Sequence, residues 1–588
     1  MDVGKKSKLM VLCMICIVLC IMLSIFVIDS SPKKPDMPES SDAEEQIGTE
    51  LQLENLRKLC KVWGYIKYTH PAFLQGKKDW DEELIRLIPD ISANVDEEEV
   101  NHILYDWVVS LGELDYGTTG KVPLWALAEP ESITIKSDNT WISDENYLGS
   151  SLSSYLSNIK EIPAVYRGKA PVNFDPMGRC IFQNEKTYED MDYTDVRYRL
   201  LGLFRFWNAV EYYFPYLDIM DEDWDTVLLE NLPSMLEADS KISYEKTIAR
   251  VSTKLNDAHT MFANEKHRDY FFDDAFGPYS APVALVEIED NIVVKEVFNS
   301  ADSKNICPLL PGDIILKLNG EDIDTVIEKR KQYISIPNDD KITKKIAPYL
   351  LRSSTERMKI TVRRDSEDLT FTVWGHRGYY RTTYAKPYEI LRNNIGLINP
   401  SRVPENGLPQ IMDKLSDTDG LIIDLRQYPS CTGMRYWLAE YLIPKRVMPC
   451  LMTVPSKAVP GTFLYQETDY FGRTQYSSVT PYDKKVVLLM DEGTWSQPET
   501  VILTLRNGPN VTVMGENSIG ANGDIVELPL PGGKTIMFSG CGVYTPNGEQ
   551  TQRVGVKPDI YIERTLEGVK NEIDEYIEAA IEYIVNSQ

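Results

Sequence analysis

The stretch Lys485-Val-Val-Leu-Leu-Met-Asp-Glu-Gly-Thr-Trp-Ser-Gln-Pro-Glu499 decides how the chain is read. Val486–Met490 is a continuous apolar run, the pattern of a strand buried on both faces. Beyond Glu499, Thr500-Val-Ile-Leu-Thr-Leu-Arg506 reads as a helix. Ser496 therefore stands at a strand-to-helix turn, over a helix N-terminus whose free amides stabilise a developing negative charge. Pro498 suits an early helical position, where the donor it lacks would be orphaned anyway. Taken alone, such a serine has two readings, a helix N-cap or a nucleophile.

Working outward, the same type of run recurs in Asn394-Ile-Gly-Leu-Ile398, Gly420-Leu-Ile-Ile-Asp-Leu-Arg426 and Val511-Thr-Val-Met-Gly515, alternating with helical segments. Residues 385–588 thus read as an α/β domain. Upstream, residues 278–376 alternate like strands in Ala284–Ile288, Asn291–Val297, Asp313–Leu318 and Met358–Val362. Within them Leu310-Pro-Gly-Asp-Ile-Ile-Leu-Lys-Leu-Asn-Gly320 resembles the corresponding stretch of a PDZ domain. PDZ domains hold peptides by adding them to a sheet edge, often through the terminal carboxylate.

Further upstream the chain repeats itself. Lys58–Pro89 aligns without a gap onto Gly202–Pro233 at a constant offset of 144, with nine identities in 32 positions. The identities include Trp63/Trp207, Tyr68/Tyr212, Pro71/Pro215 and the triplets Asp79-Trp80-Asp81 and Asp223-Trp224-Asp225. Apolar residues at helical spacing make each copy a helical module, residues 47–115 and 196–275. Residues 116–195 between them are rich in Ser, Thr, Tyr and Gly and read as strands and loops. The second copy ends Leu255-Asn-Asp-Ala-His-Thr260, whereas the first has Leu111-Gly-Glu-Leu-Asp115 there. Only one copy carries the histidine.

At the N-terminus Lys5, Lys6 and Lys8 precede the uncharged run Leu9–Ile28, long enough to cross a bilayer. We read residues 9–28 as an uncleaved signal anchor with the remainder extracytoplasmic, a cleaved signal leaving the same exported ectodomain. Residues 29–46 then form a polar stalk. Cys13, Cys16 and Cys20 fall in the apolar run, the other six cysteines are widely scattered, and no disulfide is expected. With 62 Lys+Arg against 89 Asp+Glu, the net charge of −27 argues against a nucleic-acid partner. No phosphate-loop, dinucleotide or zinc-peptidase motif appears, so neither cofactor nor metal is expected.

Three motifs change the balance at Ser496. Asp491–Glu499, Gly420-Leu-Ile-Ile-Asp-Leu-Arg-Gln-Tyr-Pro429 and Gly555-Val-Lys-Pro-Asp559 resemble signatures of the S41 family of serine peptidases, the C-terminal-processing and tricorn-core group. The resemblance covers about 196–588. It implies a crotonase-like α/β catalytic domain behind a PDZ-like domain, with Ser496 as nucleophile. It also implies an oxyanion hole from the amide of Gln497 and one from Ser430 or Cys431, while Asp424 and Arg426 serve as structural supports. Processing-type members use a lysine about 25 residues after the serine, and here Ala521 stands at that place. Tricorn-like members use a histidine from the helical module, and His259 matches it. A serine that orients this histidine is replaced by Ala258. The relay carboxylate is expected near Gln552, which makes Glu549 the candidate. His70, His102, His267 and His376 read as structural.

The expectation is a multidomain α/β protein with an N-terminal anchor, a duplicated helical module and PDZ-like and peptidase domains. Its function is expected to be membrane-anchored, exported serine endopeptidase activity on a peptide or protein substrate. Two alternatives remain: a peptide-binding relative that lost the relay, and an acyl-CoA enzyme of crotonase type, supported by fold analogy alone.

Overall fold

The computed structural model describes residues 40–94, 96–114, 132–160, 168–263, 270–298, 306–338, 342–378, 386–466 and 468–586. Leu9–Ile28, read as the anchor, lies outside them. Among the described residues no helix is long and apolar enough to cross a membrane.

The repeat is visible in individual hydrogen bonds. Helix α1 (Ser40–Thr69) carries Trp63, whose indole N–H donates to the carbonyl of Trp80 at 2.8 Å. Asp79 caps α2 (Trp80–Ser92), and Asp96 caps α3 (Glu97–Ser110). In the second copy, α4 (Val196–Tyr213) carries Trp207, whose indole donates to Trp224 at the same 2.8 Å. Asp223 caps α5 (Trp224–Glu237) and Ser240 caps α6 (Lys241–Thr253), each 144 positions after its counterpart.

The copies pack on each other with pseudo-two-fold logic. Arg205 pairs with Asp81 at 2.7 Å, and Lys61 pairs with Asp225. Lys61 corresponds to Arg205 and Asp81 to Asp225, so each copy's acid meets the other copy's base. At the crossing of α1 and α4, Gly64 faces its own counterpart Asn208. A Cβ on Gly64 would lie 1.6 Å from Asn208 Oδ1, so only glycine admits this approach. The Asn208 amide then reaches across to the carbonyl of Cys60 at 3.0 Å. Lys67 and Glu185 join Arg205 and Asp81 in a cluster closed to solvent, as buried charges require partners. In the segment between the copies the structure differs from the expected strands and loops. Residues Glu145–Lys160 form a helix interrupted at Gly149 (φ 70°), and its buried Leu148, Leu152 and Leu156 recur at four-residue spacing.

Strand β1 (Met261–Ala263) leaves the second copy. An antiparallel sheet follows, built from β2 (Val283–Ile288), β3 (Asn291–Val297), β4 (Ile314–Leu318), β5 (Arg357–Arg364) and β6 (Glu367–Trp374) in the order β6-β5-β4-β3-β2. Between β4 and β5 come helices α7 (Ile323–Lys331) and α8 (Ile342–Leu350).

The last domain is a six-stranded sheet of β7 (Tyr388–Leu391), β8 (Ile395–Ile398), β9 (Gly420–Asp424), β12 (Val486–Met490), β13 (Val511–Gly515) and β17 (Ile560–Tyr561), in that spatial order. Only the β7–β8 pair is antiparallel. The apolar run of β12 serves both faces. Val486, Leu488 and Met490 pack with α9 (Met434–Leu442) and α10 (Gln497–Leu505), while Val487 and Leu489 pack with α11 (Glu575–Asn586). Beside it, β10 (Leu451–Pro455) lies between β11 (Phe463–Gln466) and β16 (Gly542–Tyr544). The hairpin β14 (Ile525–Leu530) and β15 (Lys534–Ser539) accepts β1 as a third strand. This strand addition joins the helical module to the α/β domain and sets the site.

Candidate active site

Ser496 ends the turn after β12 with φ 63° and ψ −124°, a conformation costly for a residue with a side chain, of order 1–3 kcal/mol. Its amide donates to the carbonyl of Ala521 at 2.8 Å and to Glu499 Oε2 at 3.0 Å. Glu499 in turn accepts from the Gly520 amide at 2.9 Å and from the Ser518 hydroxyl. Burial pushes the Glu499 carboxyl up to about 7, against the pull of these hydrogen bonds. The strained turn is thus held by one buried carboxylate reaching back from the first turn of α10.

His259 reaches the site through β1. Met261 pairs with Met537, Phe262 with Ile536 and Ala263 with Thr535. Continuing that register puts His259 opposite Ser539, and His259 Nδ1 lies 2.9 Å from the Ser539 hydroxyl. Ser539 also donates its hydroxyl to Asp257 Oδ1 at 3.1 Å and its amide to Asp257 Oδ2 at 2.7 Å. The chain of bonds fixes the tautomer: Nδ1–H donates to Ser539, whose O–H donates to the carboxylate. Nε2 is left with its lone pair. It is buried and has no hydrogen-bond partner, so it makes no hydrogen bond to Ser496 here. The imidazole instead packs on Trp495, the neighbour of Ser496, at a centroid distance of 5.2 Å. Burial lowers the His259 pKa, Asp257 opposes that shift and Lys345 adds to it.

Lys345 on α8 donates to the carbonyl of Ala258 at 2.7 Å and sits 4.5 Å over the Trp495 ring. Burial lowers its ammonium to about 8. The place expected of a lysine after the serine is filled differently. Ala521 packs with Ala258, Ile519 and Trp495 in a small apolar cluster, and the ammonium that reaches this cluster is that of Lys345.

Of the residues expected at the site, the structure brings Ser496, Gln497 and Cys431 together and sets His259 one residue away, against Trp495. Gln497 Nε2 donates to the carbonyl of Cys431 at 2.7 Å, tying the helix start to the loop. Two expectations are corrected. The Ser430 amide is already spent on the carbonyl of Pro400 at 3.1 Å, which leaves Cys431 as the loop's donor. Glu549 is exposed on a turn, its amide and carboxylate bonded to Thr545. The carboxylate beside the histidine is Asp257, which Gln552 also contacts at 3.2 Å. Sequence reasoning missed Asp257, Ser539 and Lys345; an acid two residues before the histidine was the only local signal. Asp424 and Arg426 pair at 2.6 Å, and Arg426 pairs with Asp574 at 2.8 Å, as expected of supports. No cluster able to hold a metal occurs among the described residues.

A serine on a strained turn lies one residue from the tryptophan against which a buried imidazole of fixed tautomer packs, an arrangement compatible with acyl transfer. Residues 394–562 match the model of peptidase family S41. That match supports a serine-type peptidase. The carboxy-terminal processing protease CtpB of Bacillus subtilis (strain 168) is 22% identical over 330 residues, covering 54% of this chain. CtpA of the same organism is 20% identical over 320 residues, covering 53%. The chain spans 63% and 61% of the lengths of these two relatives. Among solved structures, mature CPAF complexed with lactacystin superposes with a TM-score of 0.51 at 12% identity, covering 67% of this chain and 99% of that one. That last likeness is one of fold.

Proposed function

We propose that this chain is an exported serine endopeptidase in which Ser496 attacks the peptide carbonyl and His259 is the base. The observation that carries the reading is the Asp257–Ser539–His259 chain, which leaves Nε2 basic beside the Ser496 turn. In the first step Ser496 Oγ bonds to the carbonyl carbon and its proton passes to Nε2. The oxyanion takes the amides of Gln497 and Cys431. The imidazolium then gives that proton to the leaving amine, and the acyl-serine is hydrolysed by water along the same path. Because Nε2 and Oγ are not bonded at rest, the pair forms as substrate closes the site. The sheet of residues 278–376 captures peptide in PDZ fashion, and residues 9–28 anchor the protein with its ectodomain outside the cytoplasm.

A serine-directed phosphonate should label the protein, and Ser496→Ala should abolish the label. Labelling that persists in Ser496→Ala would sink the assignment. The open Ser496–His259 pair also favours a second reading, a peptide-binding relative without turnover. Peptide-library hydrolysis by the wild type, absent in both Ser496→Ala and His259→Ala, decides for the enzyme.

A further inference from the structure

Ser496 and Gln497 open onto a cavity of about 260 Å³ whose walls include Cys450 and Phe471. Four charged residues also reach it: Arg179, Arg435, Asp469 and Asp524. Three of them are engaged. Arg179 pairs with Asp175 at 2.6 Å and with Asp524 at 3.4 Å, and Asp469 accepts the Tyr436 hydroxyl at 2.6 Å. Arg435 forms no direct ion pair among the described residues; it hydrogen-bonds the Tyr436 hydroxyl, which in turn donates to Asp469. Its guanidinium lies 5.0 Å over the Phe471 ring and 5.1 Å over that of Tyr436. Its charge reaches the cavity wall, since it opposes the rise that burial imposes on the Cys450 thiol. In a chain of net charge −27, an arginine with no direct ion pair on the cavity that Ser496 also lines is a local departure suited to an anion.

The cavity's position says which part of a substrate enters it. In acyl transfer the leaving group lies toward the base and the acyl residue toward the oxyanion donors. The cavity is lined by Ser496, Gln497 and Thr432, the neighbour of Cys431, and His259 is not among its lining residues. It therefore lies on the acyl side. We propose that it is a carboxylate-binding specificity subsite, with the Arg435 guanidinium as anion ligand stacked on Phe471. It would select substrates with an acidic residue on the acyl side of the scissile bond. The geometry of the subsite deepens the serine-peptidase reading and rests on it for this orientation. A planar guanidinium fixed by an aromatic face is pre-organised to donate to both oxygens of a carboxylate.

Binding to the full-length Ser496→Ala protein tests this without turnover. The probes are fluorescein-labelled Ala-Ala-Ala-X-Ala-Ala amides with X as Glu, Gln or Lys, read by anisotropy. The Glu peptide should bind about tenfold more tightly than the Gln peptide, with Lys weakest. Adding Arg435→Gln should bring the Glu/Gln ratio to about one, Arg435→Lys should keep part of it, and Asp469→Asn should raise it. Equal binding of Glu and Gln peptides, a ratio untouched by Arg435→Gln, or a preference for Lys each overturns the proposal. Melting temperatures separate lost binding from lost folding, and the Arg435→Lys arm reads the charge if Arg435→Gln unfolds. A sixth-position Ala peptide with a free terminus distinguishes the source. An Arg435-dependent gain there alone would place a chain-end carboxylate in the cavity and overturns the acyl-side assignment. If Arg435-dependent Glu binding holds while no peptide is ever cleaved, the subsite stands and the peptidase reading fails.

Discussion

The Nδ1 atom of His259 lies 2.9 Å from the hydroxyl of Ser539, a residue 280 positions further along the chain. Nothing near either residue in sequence dictates this contact. It follows from β1 joining β15 in a register that sets the two residues opposite each other, with Asp257 bonded to both the amide and the hydroxyl of Ser539. On the proposed mechanism Ser539 is a positioning residue that holds the imidazole in its Nδ1–H tautomer. Ser539→Ala should lower kcat/KM by about 10²–10⁴-fold through kcat, with KM little changed. Ser539→Thr should recover most of it. A purely structural serine would instead lower the melting temperature and leave the specific activity of the folded fraction intact.

The pH dependence follows from the environment of the same imidazole. Burial and the Lys345 ammonium both depress its pKa from 6.5, and Asp257 only partly restores it. A base works in its neutral form, so the acidic limb of kcat/KM should fall below pH 6.5. Lys345→Met removes a nearby positive charge and should move that limb upward, toward the ordinary histidine value. A limb that stays in place, or moves down, would show that Lys345 does not act on His259. The comparison needs only the profile of each variant between pH 4 and 8.

Glu499 makes a separate prediction about the turn. Its two oxygens accept from Ser496, Ser518 and Gly520, so an amide in its place would set an N–H against donors. Glu499→Gln should cost about 2 kcal/mol in denaturant unfolding and slow phosphonate labelling of Ser496. The folded carboxyl titrates near 7 against an ordinary 4.5, so the folded state holds a proton that the unfolded chain has released between those values. Stability from this group is therefore fully present below about 4.5 and lost as pH rises through 7. The difference between wild-type and Glu499→Gln stabilities should shrink across that window, and a constant difference would contradict the assignment.

Much of this site was legible because local patterns carried it. A buried run ending in Met490, a proline two residues past Ser496 and a glutamate three past it describe a strand, a turn and a helix start by short-range rules alone. His259 stood out for a different reason, since the family resemblance implies a histidine at that place and the first copy of the repeat has none. What was not legible depends on pairings between distant segments. An acid was sought near Gln552, but the carboxylate bonded to Ser539 beside His259 is Asp257, from the histidine's own turn, and Gln552 merely touches it. Ser430 looked like an oxyanion donor until its amide was seen bonded to Pro400. Lys345 could not be found by spacing, since it arrives on a helix of another domain.

The repeat itself makes the last prediction, because corresponding pairs sit in unlike surroundings. Asp81 and Arg205 are closed to solvent, with side chains 1% and 0% exposed, whereas Asp225 and Lys61 are 28% and 11% exposed. Removing one member of a fully closed pair strands its partner in a medium that cannot solvate it, while Lys61, 11% exposed, keeps some contact with water. Asp81→Ala should therefore destabilise the fold by about 3–5 kcal/mol, and Asp225→Ala by less, about 1–2 kcal/mol. Urea unfolding of the two variants measures both. Equal costs would mean that the two copies contribute alike despite their burial, and that the cluster of Lys67, Glu185 and Arg205 redistributes its charge when Asp81 is lost.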